Sequence, residues 1–144
     1  MALLAPELAG ARCSMQVGNT SDYRPANAEV VRFLPMEEFS ARVDAADVIV
    51  CHGGVGSVLH ALQRRKIPVV MPRRRHYREH INDHQLQLVE ALAAEGRVIP
   101  VYEGGDVLPA ILAARRGPPA RAPWGEPMLV QRVRQAIDAL LPRD

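Results

Sequence analysis

Short β-branched apolar runs alternate along the chain with segments whose apolar positions recur every three or four residues. That alternation predicts an α/β fold, a Rossmann-like parallel sheet with flanking helices. Residues 1–9 read as the tail of a helix, Arg12 to Val17 as a strand, and 18–28, with Gly, Asn, Asp and Pro, as a loop. Val30, Val31 and Phe33 mark a second strand. Pro35 opens a helix over Met36 to Val43, whose first turn carries Glu37 and Glu38, where acids are stabilising.

Asp47 to Cys51 reads as a third strand, apolar enough to be covered on both faces. A helix follows the turn His52-Gly-Gly-Val-Gly-Ser57 and runs to about Arg65; Ile67 to Met71 is a fourth strand. Leu86, Val89, Leu92 and Ala93 recur at helical spacing within a helix from about Ile81 to Ala94, which Gly96 stops. Val98 to Val101 is a fifth strand, and Asp106 caps a helix carrying Val107, Leu108, Ile111 and Leu112. A Pro-rich connector from Gly117 leads to a last helix, Glu126 to Leu141, whose apolar stripe expects the body or a partner to dock on.

At 144 residues the chain fits one domain, with a core over about residues 12–116 and the C-terminal helix at 126–141. Hydrophobic residues at 48% and charged residues at 24% exclude a disordered chain. The net charge of +2 does not call for a nucleic-acid partner. Cys13 and Cys51 form no CxxC, which excludes a disulfide framework and a cysteine zinc site and suits a reducing cytosol. The longest uncharged stretch, Val48 to Gln63, is too short and too polar for a membrane helix, and the N-terminus lacks the basic region of a signal peptide.

The turn His52-Gly53-Gly54-Val55-Gly56-Ser57 carries the chemistry. It joins the carboxyl end of a strand to the start of a helix, the edge at which open parallel sheets hold ligands. Glycines admit a close approach to the backbone, and free amides and the helix dipole favour a phosphate or diphosphate. Ser57 and His52 add donors. The other reading is a tight strand-to-helix turn with no ligand. Seven Arg and Lys residues between Arg64 and His84 face only Glu79 and Asp83. Arg64, Arg65 and Lys66 read as a solvated face at a helix C-terminus, whereas Arg73, Arg74 and Arg75 read as contacts to an anion or a partner.

His76-Tyr-Arg-Glu79-His80 spells the inverted zincin motif, but three arginines precede it and His76 falls in a loop, so we read these as polar groups and expect no metal site. Asp83, His84 and Gln85 open the next helix at the same edge, Asp83 also serving as its cap. Short polar groups beside an anion site suit a phosphorylated polyhydroxyl ligand, a sugar nucleotide or a dinucleotide.

The segments A-D-V-I-V-C-H-G-G-V-G-S, I-P-V-V-M-P and N-D-H-Q-x-x-x-V-E-A-L, spaced as they are, resemble the C-terminal donor-binding domain of family 28 glycosyltransferases, above all its short single-domain members that pair with a membrane-attached subunit. The likeness runs from about Gln16 to Val101. It implies the C-terminal half of a GT-B glycosyltransferase, inverting and metal-independent, using a UDP-sugar as donor and no cofactor. The implied acceptor is a lipid-linked sugar, as in exopolysaccharide synthesis, presented by a membrane-anchored subunit that recruits the cytoplasmic chain to the inner face of the membrane.

By the same resemblance His52, Gly53, Gly54, Gly56 and Ser57 hold the diphosphate. His60 falls at the ribose position, Asp83, His84 and Gln85 at the donor sugar, and Phe33, Leu34 and Met36 at uracil, with core packing an equal reading for Phe33. The general base is expected on the acceptor side, so no catalytic residue is named in this chain. The chain departs from the pattern in carrying His60 where the family has glutamate, and in beginning inside the helix that follows the family's first strand, which is therefore expected to be missing. Two other readings remain: an NADP-type dinucleotide-binding domain, with Gly54 and Gly56 opening its fingerprint but Leu59 at the third glycine, and a non-catalytic subunit that keeps the fold.

Overall fold

The computed structural model describes residues 6–19, 25, 27–73 and 84–117. A 3₁₀ turn at Pro6–Leu8 precedes strands β1 (Cys13–Gln16) and β2 (Ala28–Val31), helix α1 (Met36–Ala45), strand β3 (Val50–His52) and helix α2 (Val55–Gln63). Strand β4 (Val69–Met71), helix α3 (His84–Ala94), strand β5 (Ile99–Pro100), a 3₁₀ turn at Gly104–Asp106 and helix α4 (Val107–Arg115) follow. The α/β alternation is as expected. The predicted C-terminal helix, the connector after Gly117 and residues 1–5 lie outside the described residues.

Every strand pairing is parallel, but the strands form two sheets, β1-β2 and β3-β4-β5. Among the described residues no strand joins β1 to β3. This corrects the expectation for the third strand. It is shorter than Asp47–Cys51, it includes His52, and Val50 is 49% exposed rather than covered on both faces. β3 is an edge strand with a partner on one side only, and just before it the Ile49 carbonyl accepts the Val69 N–H at 2.8 Å.

The strand buried on both faces is β4. Val70 packs with Val58 and Leu62 of α2 and Val89 of α3, while Val69 packs with Ala110 of α4 and with Val101. Successive strand residues point to opposite faces, so α2 and α3 cover one side of the sheet and α4 the other. Burial pushes the Cys51 thiol up to about 11, keeping it a neutral packing group beside the first cluster.

Helix α1 ties the two sheets together. Arg42 donates to both carboxylate oxygens of Glu29 on β2 (2.8 and 2.9 Å), to Glu38 (2.6 Å) and to the Ser14 hydroxyl on β1. At its other end Lys66 Nζ donates to the carbonyls of Asp44 (3.0 Å) and Ala46 (2.9 Å). Arg64 Nε lies 3.0 Å from Asp44 Oδ1, paired by charge but not aligned for a hydrogen bond. Arg64 and Lys66 are thus α1–α2 ties rather than a merely solvated face. Arg65, with φ of 58°, turns the chain out of α2.

Other local expectations divide. Gly96 ends α3 in the left-handed region (φ 66°), and the Arg97 N–H donates back to the Leu92 carbonyl at 2.9 Å. Asp106 stands at the N-cap of α4 but makes no capping hydrogen bond, because the 3₁₀ turn already gives it helical backbone (φ −87°, ψ −5°). Replacing Leu62, 4% exposed at the centre of the first cluster, by alanine leaves a cavity. Leu62→Ala should cost about 2–5 kcal/mol of stability in urea unfolding.

Candidate functional site

The carboxyl ends of β3 and β4 carry the site. His52 is the last residue of β3, and Gly54 is the N-cap of α2 in extended backbone (φ −71°, ψ 126°). The first amides of a helix have no intrahelical acceptor, and a glycine cap supplies no side chain to meet them. The turn therefore presents backbone donors at the sheet edge, with the positive end of the helix dipole behind them.

Its three glycines are there for different reasons. Gly53 is buried against α3: a Cβ there would stand 3.1 Å from both Gln85 Cβ and Val89 Cγ2 and 3.3 Å from the Gln85 carbonyl oxygen. A Cβ on Gly54 would come 2.7 Å from His52 Nε2, so the His52 ring lies over that residue. Gly56, in the first turn of α2, has open space where a Cβ would go. The first glycine is a packing requirement, and the last leaves room beside the backbone.

The close contact at Gly53 sets Gln85 next to the turn. Gln85 Oε1 accepts the Arg73 N–H at 3.0 Å, holding the chain leaving β4 to the start of α3. Its amide nitrogen remains a donor at the same edge. His84 is exposed at the first position of α3, and Arg73 is exposed after β4. Arg74, Arg75 and Asp83, with His76, Glu79 and His80 of the zincin-like motif, lie outside the described residues. Among the described residues no group of three or more His, Cys, Asp or Glu could hold a metal ion.

The β2–α1 connection and the start of α1 hold Phe33, Leu34 and Met36. Phe33 is 64% and Met36 69% exposed, so the core reading of Phe33 is overturned; its ring lies across Gly18, whose Cβ would be 3.8 Å from Phe33 Cζ. Leu34 is half-buried, and its N–H donates to Gln16 Oε1 at 3.0 Å. Helix α1 packs beside α2 through His60, whose Nε2 is 3.2 Å from Ser40 Oγ and whose ring centroid is 5.1 Å from that of Phe39. His60 follows Gly56 by one turn on the same face of α2. Two contributors did not stand out in the sequence. Ser40 is an ordinary polar residue on a helix, and Arg42 shows its role only once β1, β2 and α1 are placed in space.

The structure thus groups Gly53, Gly54, Gly56 and Ser57 with Gln85, and links His60 to the helix that begins at Met36. A profile of the glycosyltransferase family 28 C-terminal domain matches residues 10–116. A crystal structure of the glycotransferase of kitacinnamycin is similar in fold, with a TM-score of 0.57 and 19% identity, over 90% of this chain and 35% of that one. The chain therefore spans about a third of that protein's length. No curated protein sequence matches it. The glycine roles can be separated by unfolding measurements. Gly53→Ala should lose about 1–3 kcal/mol through overpacking against α3, whereas Gly56→Ala should be neutral or gain up to about 1 kcal/mol from helix propensity.

Proposed function

Since the chain belongs to the glycosyltransferase family 28 C-terminal domain family, we propose that it binds a UDP-sugar and transfers its hexosyl group to an acceptor held by a separate subunit. The diphosphate sits at the start of α2, on the amides beyond Gly54 and against His52, Gly53, Gly56 and Ser57. Uracil lies at Phe33, Leu34 and Met36, the ribose at His60, and the donor sugar at Asp83, His84 and Gln85. To Arg73, Arg74 and Arg75 we assign contact with the anion or the partner.

The observation that carries this reading is the contact of Gly53 with Gln85 and Val89. It brings a hydrogen-bonding amide to the glycine turn while Gly56 leaves the helix backbone open. Exposed Phe33 and Met36 supply an apolar surface of the kind a base requires.

Transfer is a single displacement. The acceptor hydroxyl oxygen bonds to the anomeric carbon, the bond from that carbon to the diphosphate oxygen breaks, and configuration inverts. The hydroxyl proton passes to a base on the acceptor side. This chain lowers the barrier by stabilising charge on the departing UDP, through helix amides, Ser57, His52 and nearby arginines. In this scheme the helix end and the cations do the work of a metal. Among the described residues no helix is long and apolar enough to cross a membrane. In this reading the acceptor is a lipid-linked sugar presented by a membrane-anchored subunit that draws the chain to the cytoplasmic face.

UDP and UDP-sugars should raise the melting temperature, and NADP should not. Gly54→Asp places a carboxylate among the phosphate donors, and the three atoms nearest its Cβ all belong to the His52 side chain rather than to backbone. The variant should fold and lose measurable UDP binding by calorimetry; unchanged affinity would overturn the assignment.

A further inference from the structure

We propose that Ser40 is a positioning residue that holds His60 as its Nε2–H tautomer, so that Nδ1 is offered as the acceptor for a ribose hydroxyl of the donor nucleotide. The inference rests on the UDP-sugar reading above and adds to it a residue on a different helix. The Ser40 hydroxyl lies 2.7 Å from the Met36 carbonyl oxygen and 3.2 Å from His60 Nε2. A hydroxyl has one proton, and the shorter contact has the length of an O–H···O bond. The proton therefore goes to Met36, and the Ser40 oxygen is left to accept. The longer contact is then an N–H···O bond donated by His60 Nε2.

A neutral imidazole carries one N–H, so fixing it at Nε2 leaves a lone pair on Nδ1. Phe39, with its ring centroid 5.1 Å away, restricts the imidazole further. One turn before His60 on the same face of α2, Gly56 leaves open space where a side chain would stand. An acceptor fixed in this way binds a hydroxyl group as a carboxylate would, without adding a negative charge beside a diphosphate.

The test combines spectroscopy with binding. In ¹⁵N-detected imidazole spectra at a pH where His60 is neutral, the Nε2–H form should dominate. Ser40→Ala should give a mixture of tautomers, and Ser40→Thr, which keeps the hydroxyl, should restore the single form. By calorimetry the protein should bind UDP about tenfold more tightly than 2′,3′-dideoxy-UDP, the worth of one hydrogen bond. Ser40→Ala should shrink that ratio toward one while leaving inorganic pyrophosphate binding unchanged. An Nδ1–H tautomer, a tautomer indifferent to Ser40→Ala, or equal affinities of the wild type for the two nucleotides would overturn the assignment with UDP binding intact. Binding of neither UDP nor pyrophosphate would instead overturn the UDP-sugar reading, and the ribose role of His60 with it.

Discussion

Gly53 has no side chain, and the arrangement of the candidate site depends on that. At 3.1 Å from where its Cβ would be stand atoms of Gln85 and Val89, so α3 lies directly on the turn between β3 and α2. Val89 extends the same contact into the core with Val58, Leu62 and Val70. The position of Gln85 beside the turn is therefore held by core packing, not by surface contacts. Gln85 in turn holds the Arg73 amide and so orients the chain as it leaves β4. Two sheet-edge connections become one structure through a single close approach.

The second constraint is the division of the sheet. Among the described residues neither β1-β2 nor β3-β4-β5 reaches the other by strand pairing, and side chains of α1, α2 and the segment after α2 tie them. The guanidinium of Arg42 holds the Glu29 carboxyl below its usual range, and its own pKa is raised by Glu29 and Glu38. These charges are exposed enough that solvent screens them, so they fix direction more than they add stability. The shared contact of Ser40, Phe39 and His60 lies where α1 meets α2.

Much of this was legible in the sequence because local chemistry decided it. The helix N-terminus after Gly54, the left-handed stop at Gly96 and the order of strands and helices follow from residue type and spacing. The covered third strand did not follow, because exposure of Val50 depends on which strand lies beside it and not on its own apolarity. Phe33 was undecided for the same reason; an aromatic residue at a strand end reads alike whether it is core or surface. The tie made by Lys66 to the Asp44 and Ala46 carbonyls at the end of α1, and the partnership of Ser40 with His60 twenty residues on, are tertiary facts that periodicity does not encode.

The account claims that the backbone at the start of α2 receives a diphosphate. A crystal structure with bound uridine diphosphate tests this most directly. It should show phosphate oxygens within hydrogen-bonding distance of the amides of Val55, Gly56 and Ser57, with the base toward Phe33 and Met36. A nucleotide bound elsewhere on the molecule, or this turn occupied by the protein's own side chains while the ligand is bound, would contradict the account.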